Sequence, residues 1–173
     1  MAYAENTLVP VERSRAEIEK LLQRHKCNRF GTAVDYENHK ALVTFTAHNR
    51  MIRFEVQLPD PEDRVYQKDR NGWQLSPSGI QKRVEQAERS RWRALLLVIK
   101  AKLESVESNI ASFEEEFMAH IVLPNNQTVG QTVLPQIASI YETGRMPNDR
   151  LIGSGEPAVE IEAAMVETIE AVK

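Results

Sequence analysis

Cysteine is nearly absent: the chain of 173 residues carries one, Cys27. A single thiol closes no internal disulfide, so the fold rests on packing, and a reducing, cytoplasmic setting is the economical expectation. Glycine is sparse, with seven residues dispersed along the chain. Neither a P-loop nor a dinucleotide-binding turn can be built from glycines so scattered, because each needs several in close succession before backbone N–H groups can approach a phosphate. Long apolar runs are missing too. The longest, Ala94 to Ile99, is six residues, against about 18 for a segment that crosses a bilayer, so no membrane partner is expected. Met1 to Thr7 has neither the basic stretch nor the apolar stretch of a signal peptide. His-Glu-x-x-His and paired cysteines do not occur, which leaves zinc hydrolysis without its ligand spacing. Ser154 stands in Gly153-Ser154-Gly155, not in the G-x-S-x-G elbow, and reads as linker.

What is present suffices for one ordinary domain. A hydrophobic fraction of 42% supplies a core without disulfides or structural metal. The net charge of −3 conceals a division. Residues 1–103 hold 19 Lys+Arg against 13 Asp+Glu, a balance of +6, while residues 104–173 hold 3 against 12, a balance of −9. Segregation of this kind marks either a basic binding face beside an acidic interaction segment, or a surface that neutralises itself.

Ser14-Arg15-Ala16-Glu17 has the spacing of a capping box, and Ile18, Leu21 and Leu22 recur at helical intervals, predicting a helix over about 14–25. Pro10 keeps the preceding residues extended. Three strands follow, over Phe30 to Tyr36, Ala41 to Ala47 and Met51 to Leu58. In the third, Ile52, Phe54, Val56 and Leu58 alternate with Met51, Arg53, Glu55 and Gln57, the pattern of a half-buried antiparallel strand. Asn49 is suited to the positive φ of the tight turn between the second and third strands. Residues 59–77 form a proline-punctuated break in which Tyr66 and Trp73 require some packing. A long helix runs from about Ser78 to Ile110, with Trp92 in its apolar stripe. Ala94, Leu97 and Val98 widen the stripe until the middle should be buried on two sides, or should form a homodimer seam. Ser112-Phe113-Glu114-Glu115 is a second capping box. Ile121 to Leu123 is a candidate fourth strand, and a last helix through Val129, Val133, Ile137 and Ile140 closes at Gly144. The expected fold is α+β: a three-stranded antiparallel sheet covered by helices in α-β-β-β-α order, then a helical part. One domain over 1–144 is expected, followed over 145–173 by a linker and an acidic amphipathic tail helix bearing Met165 and Ile169.

No catalytic set emerges, so the chain is not expected to be an enzyme, and no cofactor or metal is expected. Glu116 and His120 share a helical face at four-residue spacing, but no third ligand converges. The α-β-β-β-α order is shared with PD-(D/E)xK nucleases. There Glu55-Val56-Gln57 would put glutamine in the lysine position, and Thr44 and Thr46 stand where a carboxylate is needed to balance a metal ion. A degenerate nuclease would have to draw on Glu55, Asp35 or the Glu116–His120 pair. Double-stranded-RNA-binding domains use the same order, without their loop motifs here; both are analogies of fold.

Three stretches together carry a resemblance: Tyr3-Ala4-Glu5 through Val9-Pro10-Val11-Glu12-Arg13-Ser14-Arg15, Arg91-Trp92-Arg93-Ala94-Leu95 through Lys100-Ala101-Lys102-Leu103-Glu104, and Phe113-Glu114-Glu115-Glu116-Phe117 through His120-Ile121-Val122-Leu123-Pro124. The chain resembles, over residues 3 to about 144, a family of small accessory proteins of tailed phages and prophages. The resemblance supplies no catalytic residues. It implies a phage-borne gene, a place in the cytoplasm of the infected bacterial host, and a role in replication, host takeover or defence evasion.

Two functional expectations follow. A basic surface of Arg50, Arg53, Lys82, Arg83, Arg89, Arg91 and Arg93 would engage nucleic acid or a host nucleoprotein or defence complex through phosphate contacts. Trp92 belongs to the core more readily than to a stacking surface. In the alternative, the chain is a protein–protein inhibitor or adaptor whose Glu114, Glu115 and Glu116, with Met165 and Ile169 of the tail, dock on a partner. The arginines would then neutralise the acidic second half.

Overall fold

The computed structural model describes Ala4 and residues 6–145. The expected tail helix, with Met165 and Ile169, lies outside the described residues. The chain divides into two compact units, Met1–Phe117 and Met118–Lys173. Each unit is described by itself.

The first unit has the expected α+β order. Helix α1 spans Val11–Arg24, strands β1, β2 and β3 span Asn28–Asp35, Lys40–Ala47 and Arg50–Gln57, and α2 is a single turn at Arg64–Gln67. The long helix α3 spans Pro77–Glu107, and the short α4 spans Phe113–Phe117. The strands form one antiparallel sheet in the order β1-β2-β3. Its register sets Val43 opposite Phe54 and Phe45 opposite Ile52. These four are buried, whereas Leu42, Thr44, Thr46, Met51 and Arg53 on the other face are half-buried. The alternation therefore has its physical cause in one covered face. His48 and Asn49 both take positive φ (49° and 58°). That is the two-residue hairpin turn whose twist matches its strands, and only Asn49 was expected to adopt it.

Ile18, Leu21 and Leu22 of α1 and Trp92, Leu95, Leu96, Ile99 and Leu103 of α3 form the helical side of the core. Phe117 of α4 sets its ring edge-on to Phe45 and Phe54, at centroid distances of 6.0 and 6.3 Å. Aromatic rings prefer this arrangement because a positive edge meets a negative face.

Three expectations are corrected. Ser14 does not open α1. Pro10 occupies the cap position with extended backbone, the Ser14 N–H already donates to the Pro10 carbonyl (3.2 Å), and the Ser14 hydroxyl is buried inside the helix. A proline ahead of the first turn sets the start three residues sooner than the box, because its extended conformation hands directly into the helix. The middle of α3 is buried on one side only: Ala94 is exposed and Val98 is 46% exposed. Residues 59–77 are also less irregular than a plain break, since α2 is followed by a small hairpin in which Lys68 bridges Gln74. The second capping box is present: Glu115 N–H donates to Ser112 Oγ (3.2 Å), and Ser112 N–H donates to Glu115 Oε2 (2.8 Å).

In the second unit a 3₁₀ turn at Met118–His120 precedes α5, Val129–Thr143. The candidate fourth strand is reduced to one bridge, Val122 to Thr128. Pro124 and the turn through Asn126 leave no length for a ladder. Thr128 and Gln131 form a full capping box, and Gly144 takes φ 65° as the left-handed cap. Gly130 permits a close approach, since a Cβ there would stand 2.8 Å from the Ala119 carbonyl oxygen.

Candidate nucleic-acid interface

One stretch of the chain carries a net excess of positive charge, directly after the acidic Asp60, Glu62 and Asp63. Between residues 64 and 93, eight Lys+Arg stand against three Asp+Glu, so this stretch supplies +5 of the +6 found in residues 1–103. It comprises α2, the hairpin and the first half of α3. Its arginines fall into two chemically distinct sets.

Arg89 and Arg93 are paired. Arg93 Nη1 lies 2.5 Å from Glu17 Oε2 and ties α3 to α1. Its hydrogen bond, with help from Arg13, holds the Glu17 carboxyl below the ordinary glutamate range although partial burial acts the other way. Arg89 reaches Glu85 at 3.9 Å and donates to Gln86 Oε1 at 2.8 Å. Gln86 in turn donates to the Thr7 carbonyl (2.9 Å). Arg93 thus links two helices, whereas Arg89 is engaged along its own helix.

Arg83 and Arg91 are different. Arg83 Nη1 donates to the carbonyls of Lys68 (2.6 Å) and Val65 (3.4 Å). Arg91 donates to the Gln57 carbonyl, and its other terminal nitrogen approaches the Tyr66 hydroxyl at 3.5 Å. Their acceptors are neutral, and among the described residues no carboxylate lies within 4.0 Å of either. The carbonyls orient the guanidiniums, and among the described residues neither is part of an ion pair. Together with Val65, Tyr66, Gln86, Ala87 and Ser90 they line an open cleft of about 350 Å³ between α2 and α3. The α3 residues recur at positions 83, 86, 87, 90 and 91, one helical stripe, and a rise of 1.5 Å per residue puts Arg83 and Arg91 about 12 Å apart along the axis. The cleft thus presents two fixed positive charges beside an apolar floor, with hydroxyl and amide groups between them.

The expected single basic surface does not come together as one patch. Lys82 is exposed on α3. Arg53 lies on the sheet face opposite the buried one, across from Thr44, and Arg50 is exposed at the hairpin end. Trp92 is 1% exposed and belongs to the core, with the Arg15 guanidinium 5.4 Å from its ring centre. The arginines do not neutralise Glu114, Glu115 and Glu116 either. Glu115 is taken up by the Ser112 cap, whose hydroxyl holds its carboxyl below the usual range. Glu116 is engaged by Lys102, whose Nζ lies 3.5 Å from its carboxylate. Its carboxyl is also held low, first by a hydrogen bond from Ser105. Glu114 is exposed.

The carboxylates that the nuclease analogy required are likewise occupied. Lys40 pairs with Glu55 at 2.7 Å, and Asp35 accepts from Asn38 Nδ2 (2.7 Å) and from the backbone of Glu37 and Asn38 (3.0 Å each) to close its own turn. Among the described residues no group of three or more His, Cys, Asp or Glu is placed to hold a metal ion. Burial pushes the Cys27 thiol up, away from the thiolate form a nucleophile needs.

The sequence marks Tyr66 and Trp73 for packing and not for binding: Tyr66, with Val65 of α2, builds the other wall of the cleft, whereas Trp73 beyond them is exposed instead of packed. Their signal was the pair of aromatics inside a charged, proline-bounded stretch. Comparison with protein-family models, curated proteins and solved structures finds no match for this chain.

Proposed function

We propose that the chain is a non-enzymatic, phage-borne binding protein whose α2–α3 cleft engages nucleic acid, free or within a host nucleoprotein or defence complex. One observation carries the reading: Arg83 and Arg91 line the same open cleft, held by neutral carbonyls and, among the described residues, in no ion pair. Phosphate is the ligand chemistry that two fixed guanidiniums match best, because the planar fork meets phosphate oxygens in pairs. Their backbone positions stand two helical turns apart, about 12 Å along the axis of α3, and two guanidiniums on one cleft suit a chain of phosphates more than a single one. The phage setting rests on the resemblance of residues 3 to about 144.

The reading is tested by fluorescence anisotropy of labelled oligonucleotides across a salt series. Phosphate contacts release counterions, so the affinity should fall as salt rises, with a logarithmic slope of roughly −0.7 per contact on single strands or −0.9 on duplex. Absence of binding at low salt, or binding indifferent to salt, removes the proposal.

A further inference from the structure

The segment between α2 and α3 contains a feature that phosphate binding alone does not explain. Trp73 is 73% exposed, although indole is among the side chains that gain most from burial. Its backbone is nonetheless closely fixed. Trp73 N–H donates to Asp69 Oδ1 and its carbonyl accepts from Asp69 N–H, both at 2.9 Å. Asn71 N–H donates to the same Asp69 oxygen at 2.9 Å, and Gly72 turns the chain at φ 85°. Lys68 bridges Gln74 on either side of this tip, and Leu75 N–H donates to the Gln67 carbonyl (2.9 Å). The hairpin is built, and an indole is what it displays.

The hairpin is also anchored to the cleft. The Lys68 carbonyl that Arg83 binds belongs to the residue bridging Gln74, the neighbour of Trp73. Arg64 and Arg70 are exposed on the same short segment. The single acid of the hairpin, Asp69, spends its carboxylate on the turn. An aromatic face on a fixed hairpin, next to arginines without acidic partners, is complementary to a strand that offers both bases and phosphates. In a duplex the base faces are stacked on one another and unavailable to an indole, whereas an unpaired strand presents them.

We infer that Trp73 is a stacking platform for an unpaired base, so that the ligand of the Arg83–Arg91 cleft is single-stranded nucleic acid. This rests on the cleft reading above and sharpens it from nucleic acid to its single-stranded form. DNA and RNA share the chemistry invoked, and the sugar is decided by the assay.

Tryptophan fluorescence of the whole chain tests the inference. Trp92 is 1% exposed, so quenching by a ligand in solution reports on Trp73. Labelled oligothymidylate, oligouridylate and a mixed-sequence duplex, each about 15 residues long, are titrated with the wild type, Trp73→Ala, Trp73→Phe and Arg83→Gln/Arg91→Gln; affinities are read from the anisotropy of the label, and quenching from the two proteins that keep Trp73. Single strands are expected to quench the indole and to bind the wild type more tightly than duplex does. Trp73→Ala should lose roughly 5- to 150-fold in affinity, the factor that corresponds to ~1–3 kcal/mol for one stacked base. Trp73→Phe should recover most of the loss. If the arginine variant loses affinity while Trp73→Ala does not, the cleft reading stands and the stacking inference falls. Equal binding of duplex without quenching likewise overturns the inference alone. If nothing binds any form, both fall.

Discussion

Replacing Arg93 with glutamine should weaken the fold and leave ligand binding alone, and the reason is visible in one ion pair. Arg93 Nη1 stands 2.5 Å from Glu17 Oε2, with the two side chains 28% and 34% exposed. A pair this wet does not earn the full Coulomb energy of a dry interior, so its contribution is ~1 kcal/mol rather than several. Glu17 keeps Arg13 at 3.1 Å in the variant, which softens the loss further. Urea unfolding should therefore give a stability lower by ~1 kcal/mol. For a chain of this size that is about 2–4 °C in Tm. A double-mutant cycle with Glu17→Gln should return a coupling of ~0.5–1 kcal/mol. Oligonucleotide affinity should change less than twofold, because the guanidinium is already committed to α1. Unchanged stability together with a tenfold loss of affinity would refute the division of these arginines into paired and unpaired sets, and would put Arg93 in the interface.

The same pair sets an acid limit. Glu17 titrates below its ordinary value of 4.5 because Arg93 hydrogen-bonds its ionised form. A carboxyl depressed on folding contributes stability that is complete above the unfolded value and disappears as pH falls through the lower folded one. Urea midpoints followed from about pH 6 to pH 3 should therefore drop more steeply in the wild type than in Glu17→Gln; parallel profiles would contradict this. Trp92→Ala should cost ~3–5 kcal/mol because it empties a buried indole site. Trp92→Phe should cost far less, since among the described residues the indole Nε1 has no hydrogen-bond partner to lose. A thermal melt showing less than ~1 kcal/mol for the alanine variant would displace Trp92 from the core.

Much of the fold was legible because its periodicities are strong. The alternation over Ile52 to Leu58 marks one covered sheet face, and Gly144 and Ser112 end and begin helices by local chemistry that depends on nothing distant. The misreadings arose where two signals competed. At the start of α1, the capping spacing of Ser14 and Glu17 yielded to the extended proline ahead of it, and Glu17 went to Arg93 instead, 76 residues away. In α3, six consecutive apolar residues cannot reveal which of them find neighbours, and Ala94 and Val98 find little. The site was legible as composition and not as geometry. Of the seven basic residues expected there, Arg89 finds local partners at Glu85 and Gln86, but the sorting of three others depends on partners remote in sequence: Gln57 for Arg91, Lys68 for Arg83 and Glu17 for Arg93. No local pattern carries those pairings.

The most direct test of the central claim compares two double variants by anisotropy at several salt concentrations. Arg83→Gln/Arg91→Gln removes the cleft charges, and Arg50→Gln/Arg53→Gln removes charges on β3. The cleft variant should bind more weakly and lose about 1.4 from the magnitude of the salt slope, two single-strand phosphate contacts at ~0.7 each. The β3 variant should keep the wild-type slope. Matching thermal melts would confirm that both remain folded. The opposite pattern, with the slope lost in the β3 variant and kept in the cleft variant, would contradict the assignment of nucleic-acid binding to the α2–α3 cleft.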